Sequence, residues 1–84
     1  SMKLSSDRLN ALLALSTQGS FSAAANYLGV TQSALSQRVQ KLESELECTL
    51  VIRDPLQIRL TEAGECLVRF ISKANQLEED VLGM

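Results

Sequence analysis

The chain has 84 residues, of which 45% are hydrophobic and 21% are charged, and its formal net charge is −2. A chain of this length makes one small domain, and it contains no apolar run approaching the roughly 20 residues that cross a membrane. Because it contains no histidine, the usual zinc sites and nearly all imidazole-based acid–base catalysis are excluded.

The cysteines and the first residues indicate a reducing compartment. Cys48 and Cys66 have no metal-like spacing, so we expect two reduced thiols that are buried or half-buried. No secretory signal precedes the first predicted helix, and we therefore expect a cytoplasmic protein.

Two short helices are predicted at the start of the chain. The first helix is predicted from about Ser6 to Thr17, with Gly19 as the left-handed residue at its end. Its core-facing stripe, at helical spacings, consists of Leu9, Leu12, Leu13, Leu15 and Ser16. Ser20 is placed to cap a second helix from Phe21 to Leu28, and Gly29 ends it.

A third helix follows with two different faces. Thr31 is the expected cap for a helix from Gln32 to about Leu46. Its apolar stripe consists of Leu35, Val39, Leu42 and Leu46, and its opposite, polar face carries Ser33, Ser36, Gln37 and Gln40. The polar face must therefore point away from the core.

The pattern then changes to a hairpin and a long last helix. The runs 50–52 and 57–60 read as two strands joined by a turn at Asp54-Pro55, and Thr61 caps a helix from Glu62 to about Leu82. Apolar residues recur along that helix at spacings of four and three: Ala63, Leu67, Phe70, Ala74, Leu77 and Val81. One helix cannot bury this seam on so small a body, so we expect a partner helix.

The polar face of the third helix favours DNA binding over an ordinary three-helix bundle with a solvated face. A bundle normally carries Glu and Lys there, whereas this face begins with small and amide side chains, and the hairpin that follows supplies Arg53 and Arg59. The second and third helices, joined by a tight turn, form a two-helix unit in which one helix can enter the DNA major groove while the other braces it.

Each polar group on or near this face has a chemical role if the third helix binds DNA. The amides of Gln32 and Gln37 can pair with adenine edges, and Arg38 can reach a phosphate or a guanine. Backbone N–H groups at Ser20 and Ser22 can donate to phosphate. The hydroxyls of Ser33 and Ser36 are short enough to let the helix sit deep, and Lys41 is expected to be solvated.

Several motifs in chain order carry a family resemblance. They are Gly19-Ser20-Phe21-Ser22-x-Ala24-Ala25-x-x-Leu28-x-Val30-Thr31-Gln32-Ser33-Ala34-Leu35-Ser36, then Leu42-Glu43, Leu50 to Arg53, and Leu60-Thr61-Glu62-Ala63-Gly64. Together they resemble the N-terminal domain of LysR-type transcriptional regulators, over about Leu9 to Leu67. The motifs Ser36-Gln37-Arg38 and Leu50-Val51-x-Arg53 also resemble the branch that controls basic amino acid export.

The resemblance implies an all-α fold with a small β-hairpin wing: a winged helix-turn-helix at residues 1–60 and a long linker helix at 61–84 that dimerises the protein. It implies base contacts from Gln32, Ser33, Ser36 and Gln37, and phosphate or groove contacts from Thr31, Arg38 and Arg53. It also implies binding to inverted repeats near bacterial promoters as dimers or tetramers. A small-molecule effector would act only through a domain absent from this chain, and no cofactor or metal is implied.

The chain departs from the family pattern at two places. Glu47 and Val51 stand where the family usually has Gly and Phe, so the end of the third helix is either strained by about 1 kcal/mol or formed differently. The wing tip, often basic in the family, is Asp54-Pro55-Leu56-Gln57, which puts its grip on the minor groove in question.

The charge distribution leaves an alternative to DNA binding open. Residues 1–60 hold six cations against five acids, a net of +1, and residues 61–84 hold two against five, a net of −3. One copy should therefore bind DNA weakly, and two copies would be needed. The acidic last helix leaves open a protein-interaction module without DNA reading, whereas an enzyme is a distant third because no nucleophile–base pair appears.

Overall fold

The computed structural model describes residues 5–54 and 57–84, which form four helices and one two-stranded antiparallel hairpin. The elements are α1 Ser6–Gln18, α2 Phe21–Leu28, α3 Gln32–Leu46, β1 Val51–Arg53, β2 Ile58–Leu60 and α4 Glu62–Leu82. The bounds predicted for α2, α3 and α4 are confirmed, and α1 is one residue longer than predicted. The predicted turn at Pro55 lies outside the described residues.

Local capping explains why the helix bounds follow from the sequence. Three hydroxyls at N-cap positions each accept a hydrogen bond from the backbone N–H three residues later: Ser20 from Ala23 at 3.0 Å, Thr31 from Ala34 at 3.1 Å and Thr61 from Gly64 at 3.1 Å. Gly19 and Gly29 end α1 and α2 in the left-handed conformation, with φ of 81° and 69°.

The core forms where α1 packs against α2 and α3. Its largest fully buried side chains are Leu12, Leu15, Leu35, Val39, Leu42 and Leu50. One part of the predicted α1 stripe is wrong, because Ser16 is exposed, while Ala11 and Ala14 are buried. Small side chains at these two positions let the neighbouring helices approach closely.

The hairpin is held between α3 and α4 by hydrogen bonds between side chains and backbone groups at its base. Val51 pairs with Leu60 in the antiparallel register. A carboxylate oxygen of Glu43, on α3, accepts from the backbone N–H groups of Leu50 at 2.7 Å and Val51 at 3.3 Å. At the other end, the Thr61 hydroxyl donates to the carbonyl of Thr49 at 2.6 Å. The wing is therefore fixed relative to α3.

The cysteine prediction is wrong in its burial: both thiols are free and exposed. Cys48 follows the end of α3, and Cys66 lies on a side of α4 that the core does not cover. Both line an apolar surface groove together with Leu46, Leu50, Ala63, Leu67 and Phe70. Among the described residues, no helix is long and apolar enough to cross a membrane.

Candidate nucleic-acid interface

The apolar stripe of α3 fixes the direction of its polar face. Leu35, Val39 and Leu42 are buried, so the helix cannot rotate without exposing them. Gln32, Ser33 and Gln37 are exposed on the other side. These three predicted base-reading residues therefore share one accessible surface.

One edge of that surface meets the wing at Arg53. The Arg53 guanidinium lies 4.5 Å from the centre of the Phe21 ring, and its Nη2 donates to the Ser36 hydroxyl oxygen at 2.7 Å. Phe21 and Ser36 are half-buried, whereas Arg53 is exposed. Two predicted DNA contacts, Ser36 and Arg53, are thus brought into direct contact.

The other edge of the surface carries a second cationic group. Arg38 and Lys41 line one shallow depression beside Gln37, and the start of α1 closes it with Ser5 and Asp7. The Lys41 side chain is exposed. It lies three residues after Arg38, at a neighbouring position on the same face of α3.

Arg8 also reaches that depression, but its charge is already paired. Its guanidinium forms an ion pair with the Glu45 carboxylate, and both side chains are 30% exposed. The pair joins α1 to α3 and leaves Arg38 and Lys41 as the cations on this edge that the ion pair does not use.

The predicted phosphate contacts at helix starts are accessible. Ser22 and Thr31 are exposed, and Ser20 is half-buried. The Ser20 and Thr31 oxygens accept capping hydrogen bonds, so their own hydroxyl hydrogens are left to donate. Each site combines a donor hydroxyl with the positive end of a helix dipole.

The predicted dimerisation seam runs along α4 and is not covered by this chain. Phe70 is 61% exposed, Leu77 64% and Val81 58%. Ala63 and Ala74 are also exposed, and Leu67 is half-buried. Across residues 5–54 and 57–84, no group of three or more His, Cys, Asp or Glu side chains is placed to hold a metal ion.

Comparison with known proteins identifies the family. Residues 6–65 match the model of the bacterial regulatory helix-turn-helix proteins of the lysR family. The chain is 41% identical over 80 residues to the HTH-type transcriptional regulator LysG of Mycobacterium tuberculosis, covering 95% of this chain and 26% of LysG.

Two solved structures have the same fold. The crystal structure of ArgP from Mycobacterium tuberculosis matches with a TM-score of 0.87 and 40% identity, over 96% of this chain and 30% of that one. The BenM DNA-binding domain, solved in a complex with benA site 1 DNA, matches with a TM-score of 0.85 and 28% identity, over 99% of this chain and 94% of that one.

The family match covers α1, α2, α3, the hairpin and the first turn of α4. The chain spans about a quarter of the length of the curated relatives it matches. Its motifs, its winged helix-turn-helix fold and these matches agree, and the chain belongs to the LysR family of bacterial regulatory helix-turn-helix proteins.

Proposed function

We propose that this chain is the DNA-reading head of a dimeric LysR-type transcription regulator of bacteria, and that α3 enters the major groove of double-stranded DNA. The observation that carries the proposal is the exposed polar face of α3 between two cationic edges. Arg53 lies at one edge, and Arg38 with Lys41 lies at the other. A helix flanked in this way can read bases with its centre while its sides are held by phosphates.

The contacts divide by chemistry. Gln32 and Gln37 have the amides that pair with adenine, and Ser33 and Ser36 have hydroxyls at the same surface. Thr31, Arg38 and Arg53, with the helix start at Ser20 and Ser22, contact phosphate or the groove wall. Lys41 joins this second group because it shares the depression with Arg38.

Dimerisation through α4 would supply the DNA affinity that a single copy lacks. Residues 1–60 carry a net charge of only +1, so one copy attracts phosphates weakly. Two copies joined by the exposed seam would place two α3 helices on an inverted repeat, and tetramers would span two such sites. A small-molecule effector would bind the parent protein outside this chain, and the site of action is the cytoplasm.

The proposal extends to the regulated genes. The motif Ser36-Gln37-Arg38 and the segment ending at Arg53 resemble the branch that controls basic amino acid export. We therefore propose that the parent regulator controls genes for that export. No catalytic role is proposed, because the side chains at the interface suit binding and hydrogen bonding.

The rival is a protein-interaction module in which only α4 is functional, and paired variants distinguish it from DNA reading. We expect Gln37→Ala to reduce discrimination between a duplex from its own promoter region and a scrambled duplex, while dimerisation stays unchanged. Phe70→Glu should weaken dimerisation and, through it, DNA affinity, because a charge would enter the apolar seam. Ser72→Glu, at an exposed position off the seam, is the matched control.

Fluorescence anisotropy measures the DNA affinities, and sedimentation equilibrium measures the dimer. Loss of discrimination on changing α3 alone supports DNA reading. Full retention of every activity in Gln32→Ala and Gln37→Ala, with loss only in Phe70→Glu, would support the rival instead.

A further inference from the structure

The Arg53 side chain joins three elements at the edge of the reading surface, the exposed polar face of α3 that carries Gln32, Ser33 and Gln37. Arg53 lies on β1, Phe21 is the first residue of α2, and Ser36 lies in the second turn of α3. The guanidinium stacks 4.5 Å from the Phe21 ring centre and donates to Ser36 at 2.7 Å. A planar guanidinium can lie flat on the ring while it donates in a fixed direction, whereas a lysine ammonium is a rotating point charge with no plane to stack.

The direction of this hydrogen bond determines what Ser36 has left to offer. Arginine is a donor only, so the Ser36 oxygen is the acceptor and keeps its own hydrogen for another partner. Thr17 on α1 differs, because its hydroxyl donates to the carbonyl of Ala14 at 3.3 Å. Within the described part of the chain, the hydrogen bond that Ser36 makes is the one it accepts from Arg53.

The charge on Arg53 reinforces this polarity. A hydroxyl that accepts from a cation becomes a better donor and a poorer acceptor, because each hydrogen bond polarises the next. The arrangement is also held in place, since Arg53 is paired with Ile58 in the hairpin and Glu43 anchors the start of β1. Ser36 is therefore presented to the groove as a donor.

We propose that Arg53 is a positioning residue for base reading, and that it orients the Ser36 hydroxyl to donate to a base with an acceptor in the major groove. Guanine offers O6 and N7, thymine offers O4 and adenine offers N7, whereas cytosine presents only its N4 amino donor. Ser36 then accepts guanine, thymine or adenine and rejects cytosine. This inference rests on the proposed placement of α3 in the major groove.

The inference changes what is expected of Arg53. As a simple phosphate contact, Arg53→Ala would weaken binding to all sequences alike. As a positioning residue, it changes the preference at the one base pair that Ser36 reads. The two roles differ in the pattern of base preference and not only in affinity.

Selection from a library of random DNA duplexes, followed by sequencing, measures this pattern for the whole chain. In the wild type we expect cytosine to be disfavoured roughly three- to tenfold at the Ser36 position, the range of one hydrogen bond. Ser36→Ala and Arg53→Ala should each flatten that same position, and the double variant should flatten it no further. Arg53→Lys, which keeps the charge, should flatten it as well.

Arg59→Ala is the matched control, since Arg59 is also exposed on the hairpin, and it should leave that position unchanged. The inference is overturned if Arg53→Ala lowers affinity uniformly and keeps the preference, or if cytosine is the preferred base. If the wild type selects a motif that responds to Gln37→Ala but not to Arg53→Ala at the Ser36 position, only this inference fails. If the wild type selects no motif, the proposed function fails with it.

Discussion

At the scale of single residues, Glu47 shows how one departure from a family pattern is accommodated. It ends α3 in the left-handed conformation, with φ of 53°, and its N–H reaches the carbonyls of Glu43 and Ser44. That conformation costs a residue with a side chain about 1 kcal/mol or more. The chain keeps the helix end that a glycine would give and accepts the strain.

Replacing Glu47 with glycine should therefore stabilise the fold. We expect Glu47→Gly to raise the free energy of unfolding by about 0.5–1 kcal/mol, since relief of strain exceeds the extra flexibility of glycine in the unfolded chain. Urea denaturation measures the change. Glu47→Ala removes the same charge but keeps the strain, so a stabilisation of similar size in that control would contradict the explanation.

Lys41 lies in a depression that local sequence patterns do not predict. Its sequence neighbours gave no reason to prefer contact over solvation, because the depression that it shares with Arg38 is completed by Ser5 and Asp7 from the distant start of α1. Contacts between elements far apart in the chain are not visible in local patterns.

We expect Lys41→Ala to weaken binding to all DNA sequences alike. The slope of the logarithm of the binding constant against the logarithm of salt concentration should become shallower by about 1 per chain, because one phosphate contact is lost. Anisotropy titrations over a range of salt give the slope. An unchanged slope would mean that Lys41 is solvated and makes no phosphate contact. Lys73→Ala on α4 is the control.

At the scale of elements, the close approach of α4 to the base of the hairpin depends on Gly64. A Cβ at this position would lie 2.2 Å from the carbonyl oxygen of Leu50 and 3.3 Å from the Cβ of Leu60. The backbone N–H of Thr61 donates to that same Leu50 carbonyl at 3.0 Å. Gly64 thus lets the wing and the first turn of α4 pack as one unit.

Gly64→Ala should destabilise the fold although alanine is the better helix former. Helix propensity alone favours alanine by about 1 kcal/mol. The steric overlap with a backbone carbonyl outweighs that gain, and we expect a net loss of about 1–3 kcal/mol in the free energy of unfolding. Thermal and urea unfolding test this, and Ser72→Ala, at an exposed site on the same helix, should change stability by less than about 0.5 kcal/mol.

At the scale of the whole molecule, the fold was largely predictable and the contacts between elements were not. Caps such as Thr31 and Thr61 act over three residues, so helix bounds follow from local sequence. The junction of Phe21, Ser36 and Arg53 joins residues up to 32 positions apart, and the exposure of Cys66 depends on which side of α4 meets the core. The polar face of α3 indicates its site residues, because the apolar stripe fixes which side is exposed, and their contacts with DNA stay a prediction.

The surface proposed to bind DNA and the seam proposed to form the dimer lie on different elements. The proposed reading surface lies on α3 and the wing, while half of the acidic residues and the exposed apolar seam lie on α4. Because the proposed reading surface has so few cations, we propose that firm binding requires two copies, with avidity replacing the charge that one copy lacks.

The salt dependence of binding tests the central claim most directly. Two joined copies of the chain are titrated, at several salt concentrations, with a duplex from the promoter region of its own gene and with a scrambled duplex of the same composition. We predict a steep loss of affinity with rising salt for both duplexes, and a preference for the promoter duplex that persists at every concentration. Equal binding of the two duplexes, or no dependence on salt, would contradict the claim that α3 reads DNA.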